Sequence, residues 1–167
     1  MESKASLDTL GKIITSLTFV LVLGIIIKFI YLLQTHNDIR IIYYWSCAIF
    51  ILFLIITISY LFSPKKYVIK QKDLLIKRII GSKIIHIADI ADVKQLSRAD
   101  TRFLIRYFGV GGLFGWYGKF WNRKYGKMTF YASKRKNLIM IKTKRSEKIV
   151  ISPDNFDFIN EIIKIRN

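Results

Sequence analysis

Two apolar stretches, set almost back to back near the N-terminus, constrain what this 167-residue chain can fold into more than any other feature. From Ile13 to Leu33 run 21 residues interrupted only by Lys28 and a few small or hydroxyl side chains. From Ile41 to Phe62 run 22 more with no charge at all. At about 1.5 Å rise per residue each helix spans ~30 Å, the thickness of the hydrocarbon core of a bilayer. The 105 residues that follow Phe62 are too few to enclose two such helices in a soluble core. The first stretch is longer than the roughly 7–15-residue apolar segment of a signal peptide, and no small-x-small cleavage site follows it. The chain therefore reads as an N-terminal segment (residues 1–12), a first membrane helix (13–33), a short turn (34–40), a second membrane helix (41–62) and one domain (63–167).

Lys28 sits within two turns of the helix exit, where its long stem can carry the charge to the interface. Tyr31, Tyr43, Tyr44, Trp45 and Tyr60 lie near segment ends, where aromatic belts form. The turn holds Arg40 offset by Asp38, whereas Lys65, Lys66, Lys70 and Lys72 follow the second helix directly. The positive-inside bias then predicts an inner-membrane protein with both termini and the domain in the cytoplasm. Cys47, the only cysteine, falls in the second helix, so the monomer has neither a disulfide nor a thiolate metal framework.

Residues 63–167 carry 24 of the 28 basic residues and 8 of the 11 acidic ones, so nearly all of the net charge of +17 belongs to the domain. Ser63-Pro64 ends the second helix. Short β-runs follow, punctuated by polar turns: Tyr67–Gln71, Leu74–Ile79, Lys83–Ile87 and Ala91–Leu96. A long irregular stretch separates these from Met128–Ala132, Leu138–Thr143 and Lys148–Ile151. The chain closes with an amphipathic helix that the sequence places from Ser152 as N-cap, with Pro153 in the first turn and Asp154 set against the dipole. Phe156, Ile159, Ile162 and Ile163 would form its buried face, and Asn160, Glu161 and Lys164 its wet one.

Four strands, three strands and a C-terminal amphipathic helix is the order of a pleckstrin-homology (PH) domain. Arg106-Tyr107-Phe108-Gly109-Val110-Gly111-Gly112-Leu113-Phe114-Gly115, then Gly118-Lys119-Phe120 and Ile151-Ser152-Pro153-Asp154, resemble the signature of bacterial PH-like domain proteins. The resemblance covers roughly residues 64–165. It implies a membrane helical hairpin followed by a β-rich PH-like barrel of four plus three strands, capped by the last helix. About activity it implies little, because a fold does not fix a function.

Motifs for chemistry are missing from the sequence. The glycine-rich segment fails the phosphate-loop spacing, since Leu113 stands where glycine is needed before Gly118-Lys119 and Phe120 where Ser or Thr is needed. Phe114 likewise breaks the dinucleotide pattern begun at Gly109 and Gly111. His36 and His86 fall on opposite sides of the membrane in this topology, and Asp89 and Asp92 read as turn residues. No enzymatic role, cofactor or metal is expected.

Residues Arg102–Lys127 stand out, with nine aromatic residues, six glycines and six basic residues but no acid. Unpaired charges cannot follow the rings into a core. At least one face is therefore expected to be exposed, with Trp116 and Trp121 partly outside the core. The candidate surface for anionic headgroups or a partner comprises Arg102, Arg106, Trp116, Tyr117, Lys119, Phe120, Trp121, Arg123, Lys124 and Lys127. Weaker basic candidates are Lys70, Lys72, Lys77 and Arg78 along the first hairpin, and Lys134, Arg135 and Lys136 at a turn. The expected partners are the bilayer itself, anionic lipid headgroups, and membrane proteins or a second copy of the chain in a scaffold. Nucleic acid, which the charge permits, is disfavoured for a domain held against anionic lipid. Reporter fusions at Asn167 and within Gln34–Arg40 should read cytoplasm and exterior respectively; an external C-terminal reporter would overturn the orientation.

Overall fold

The computed structural model describes residues 1–35, 38–97, 99–155 and 157–166. Two helices, α1 (Thr9–Thr35) and α2 (Ile39–Leu61), form an antiparallel pair. Both are long and apolar enough to cross a membrane, and no residue in the most apolar window of either is buried by protein, unlike the core helix of a soluble fold. Helix α1 outruns its apolar stretch at both ends, while α2 starts two residues before its own and stops at Leu61, because hydropathy marks where the hydrocarbon would end and not where the backbone ladder ends. Asp8 Oδ1 caps α1 by accepting the N–H of Gly11 at 2.7 Å, and Asp38 caps α2 through Arg40 N–H at 2.9 Å. Lys28 of α1 lies with its ammonium 5.3 Å from the ring centroid of Trp45 on α2. His36, in the turn, lies outside the described residues.

Among the described residues, ten strands make two sheets. The smaller joins β1 (Glu2–Lys4), β2 (Pro64–Lys70), β3 (Asp73–Arg78) and β4 (Ser82–His86) in that order, all antiparallel. The larger contains β5 (Ile90–Leu96), β6 (Ile105–Gly112), β7 (Gly115–Asn122), β8 (Gly126–Ala132), β9 (Leu138–Thr143) and β10 (Lys148–Ile151). Its order is β5-β9-β10-β8-β7-β6, with β10 antiparallel to β9 and parallel to β8. The last helix, α3 (Phe158–Arg166), buries Phe158 and Ile162 and packs against β5.

Side-chain parity organises the core. Ile139, Ile141, Ile149 and Ile151 point to the smaller sheet and join Tyr67, Leu74, Ile76, Phe158 and Ile162. Leu138, Met140, Val150 and Phe130 point the other way, to Leu96, Phe120 and Met128. Strand β9 is therefore buried on both faces, which is why it reads as a continuous apolar run instead of an alternation.

All seven strands expected from the sequence are present. Three more were not legible. The stretch expected to be irregular is the hairpin β6–β7: with glycine at 109, 111 and 118, neither strand shows the apolar alternation that announces a strand. The third, β1, is Glu-Ser-Lys, and pairs with β2 through Glu2↔Val68 and Lys4↔Lys66. The last helix also starts later than expected. Ser152 caps nothing: it is fully buried, and its Oγ accepts the N–H of Ser133 at 2.8 Å and of Lys134 at 3.3 Å. Pro153 is buried, and Asp154 accepts from Ser6 and pairs with Lys134 instead of facing a helix dipole. Phe156 lies outside the described residues.

Tyr67 joins the two sheets. Its hydroxyl donates to the carbonyl of Tyr131 in β8 at 2.7 Å and accepts the N–H of Ser152 at 3.2 Å. Burial pushes its pKa up to about 12 from an ordinary 10.0. The folded-state pKa is raised, so the stability it contributes is complete below pH 10 and is lost as pH rises through about 12. Tyr67→Phe should cost about 1–3 kcal/mol at neutral pH by orphaning a buried N–H and C=O. In denaturant unfolding of the full chain, the gap between the two proteins should hold steady to pH 10 and narrow above it; a gap independent of pH would show that the hydroxyl is not buried.

Candidate functional site

The hairpin β6–β7 is built for close approach. Gly109 and Gly118 face each other across it, both at positive φ, and a Cβ on either would meet partner backbone at 2.3 or 2.4 Å. At the tip, a Cβ on Gly112 would meet Cδ1 of Ile14 in α1 at 2.5 Å. The tip therefore sits directly on the apolar helices. Phe114 N–H donates to Thr15 Oγ1 at 3.2 Å, and its ring packs edge-on against Phe19 of α1 and Tyr60 of α2. Behind the tip, the buried hydroxyl of Tyr117 donates to the carbonyl of Ser59 in α2. Burial pushes that hydroxyl up to about 12.

Cross-strand register then sorts the sequence-predicted surface. One face of the hairpin carries Ile105 beside Trp121, Phe108 beside Lys119, and Val110 beside Tyr117; Lys127 of β8 follows Trp121 on the same face. Ile105, Phe108, Lys119, Trp121 and Lys127 are exposed, with Phe108 70% accessible. The opposite face carries Arg106, Trp116 and Phe120. Phe120 is buried against Phe130 with ring centroids 4.6 Å apart, so neither it nor Tyr117 belongs to an exposed surface. Trp116 is half-buried, with the Arg135 guanidinium 4.7 Å above its ring. Arg102 lies 5.3 Å from the ring of the exposed Phe103.

The remaining candidates scatter. Arg123 and Lys124 occupy the β7–β8 turn, where Lys124 is held at 2.5 Å by the buried Asp100. Asp100 also accepts from Ser97 and Tyr125, and the Lys124 ammonium with these bonds keeps its carboxyl well below the usual range. Nothing in the sequence marked Asp100 as a hub, since Lys124 and Tyr125 reach it from another turn. Lys134 pairs with Asp154 at 2.5 Å, and Lys136 is exposed at the β8–β9 turn. Lys70 ends β2 and Lys72 lies in the β2–β3 turn, at the far end of β2 from α2. At 3.3 Å per residue the length of β2 is ~20 Å, more than twice the Debye length of ~8 Å at physiological salt. Lys77 and Arg78 sit at the near end, opposite Lys66 and Pro64.

Arg78 lies at the junction of the helices and the hairpin. Its guanidinium is 5.2 Å from the ring of Phe62 and 5.8 Å from that of Tyr131, and its Nε is buried without a hydrogen-bond partner among the described residues. Two sheets with this element order, closed by a C-terminal helix, match the expected PH-like fold. Residues 65–167 match the family model described as bacterial PH domain.

The chain belongs to that family. Comparison with the curated proteins and with the solved structures gave no match. The match to the PH domain excludes α1 and α2 but includes the whole hairpin β6–β7, the part that rests on them. Gly118→Ala in the intact protein should lower stability by about 1–3 kcal/mol through strand collision. Gly126→Ala is the matched control, with positive φ but nothing within 4 Å of the added carbon. Equal losses of thermal midpoint in the two variants would overturn the close approach.

Proposed function

We propose that this PH-domain protein is a non-catalytic binding module that spans the inner membrane twice and works at its cytoplasmic face, engaging anionic lipid through its basic, aromatic surface. The observation that carries the reading is the hairpin β6–β7, which rests on both apolar helices while presenting Ile105, Phe108 and Trp121 outward beside Lys119 and Lys127. Ile79 and Ile80, exposed at the β3–β4 turn, extend the apolar rim next to α2. Apolar side chains gain about 1.5–3 kcal/mol each when fully taken out of water, and each nearby Lys or Arg gains ~1 kcal/mol at an anionic surface. A cytoplasmic orientation is supported by the lysines following α2 and by β1, which draws the N-terminal residues into the same sheet as β2. The absence of a catalytic constellation in the sequence, and the general use of PH folds as binding modules, support a role without turnover.

The test uses the full chain in nanodiscs, with Trp45→Phe and Trp116→Phe leaving Trp121 as sole reporter. Quenchers borne near the headgroup should quench Trp121, more strongly on anionic than on zwitterionic lipid. Lys119→Gln with Lys127→Gln should reduce that preference by roughly fivefold per charge. Quenching indifferent to lipid charge would overturn lipid engagement and favour a scaffold that assembles with protein, and emission untouched by lipid quenchers would remove the surface from the membrane altogether.

A further inference from the structure

The larger sheet extends past the smaller one, and the face of β6–β8 left uncovered forms a groove. One half, of about 450 Å³, lies against the end of α2 and is lined by Ile58, Phe62, Phe108 and Val110, with Arg78 at its side. The other half, of about 400 Å³, opens toward β4 and β10 and gathers Lys83, Lys119, Lys127 and Lys148 around one acid, Glu147. Lys119, Thr129 and Tyr131 line both halves, so the two are continuous. Each is within the roughly 300–1,000 Å³ range of small-molecule sites. An apolar trough that begins at a membrane helix and ends among four lysines has the polarity profile of one amphiphile.

We infer that this groove holds a single anionic glycerophospholipid, an acyl chain along Ile58, Phe62, Phe108 and Val110 and its phosphate at Arg78 and Lys119. Charge complementarity selects the anion: the lysines outnumber the single carboxylate, and Arg78 keeps a buried Nε donor with no partner among the described residues. A buried donor of that kind is costly until something accepts from it, and phosphate oxygens accept from Arg as a fork. Continuity with the end of α2 selects a lipid over a soluble phosphate, which would fill only the basic half. The assignment rests on the membrane-facing reading above and adds to it a defined site with one occupant.

The experiment is native mass spectrometry of the full chain released from nanodiscs of mixed phosphatidylglycerol and phosphatidylcholine. One phosphatidylglycerol should stay with each chain. Val110→Trp fills the apolar half without altering any charge and should abolish retention. Lys119→Gln with Lys127→Gln, two exposed side chains with no core packing, should reduce it by roughly fivefold per charge. Lys164→Gln, on the exposed side of α3, should change nothing. Should Val110→Trp fail to fold by circular dichroism, the lysine pair decides. No retained lipid, equal retention of phosphatidylcholine, or retention indifferent to the groove variants overturns the site. If retention is lost while Trp121 still distinguishes anionic from zwitterionic lipid, the groove alone falls; if both signals are absent, the membrane-facing reading falls with it.

Discussion

The last four carbonyls of a helix have no partner within it, and at the end of α2 every one of them is met. Ile58 accepts from Phe62 N–H and Tyr60 from Ser63 N–H, both within the chain's own exit turn. Leu61 accepts the N–H of Ile80 at 3.2 Å, and Ser59 accepts the hydroxyl of Tyr117. The second pair of donors comes from the PH domain. A helix end covered by protein cannot leave those carbonyls dry and unpaired, so closing the helix and seating the domain are one event.

Much of the architecture follows from that joint. Tyr117 reaches Ser59 from β7, a strand brought near the helix end by a hairpin whose glycines remove the Cβ atoms that would keep its strands apart or lift its tip off Ile14. The start of α1 is fastened as well: Asp8 accepts from Arg135 N–H at 3.1 Å while capping the helix, and β1 extends the smaller sheet. A domain tied at the start of one helix, the end of the other and the hairpin between them has no linker on which to swing. The proposed lipid surface is thus held at a set height and angle.

Local physics made some of this readable in advance. Long apolar runs disclosed α1 and α2, and period-two alternation or a short continuous run disclosed seven strands. The readings that failed did so where local signals are ambiguous. Ser152-Pro153-Asp154 has the composition of a helix start, yet its three side chains are recruited to Ser133, to the core and to Lys134 by contacts 18 to 20 residues away. Tyr117 and Phe120 read as surface because the cations around them cannot be buried, but strand alternation turns Phe120 into the core, and Tyr117, on the same face as the exposed Lys119 and Trp121, is covered where its hydroxyl meets Ser59 of α2.

What the sequence by itself determined is membership and placement: two helices of bilayer length, a basic domain after them, and the β-rich order of a PH fold. These depend on composition and periodicity, which are properties of neighbouring residues. Only the tertiary structure decided which cations share a surface. Lys83, Lys119, Lys127 and Lys148 lie on four different strands and meet because register and sheet order place them around one groove. Arg78 packs beside Phe62 and Tyr131 with its Nε left without a partner among the described residues. Such encounters are set by the pairing of distant strands, and no pattern along the chain encodes them.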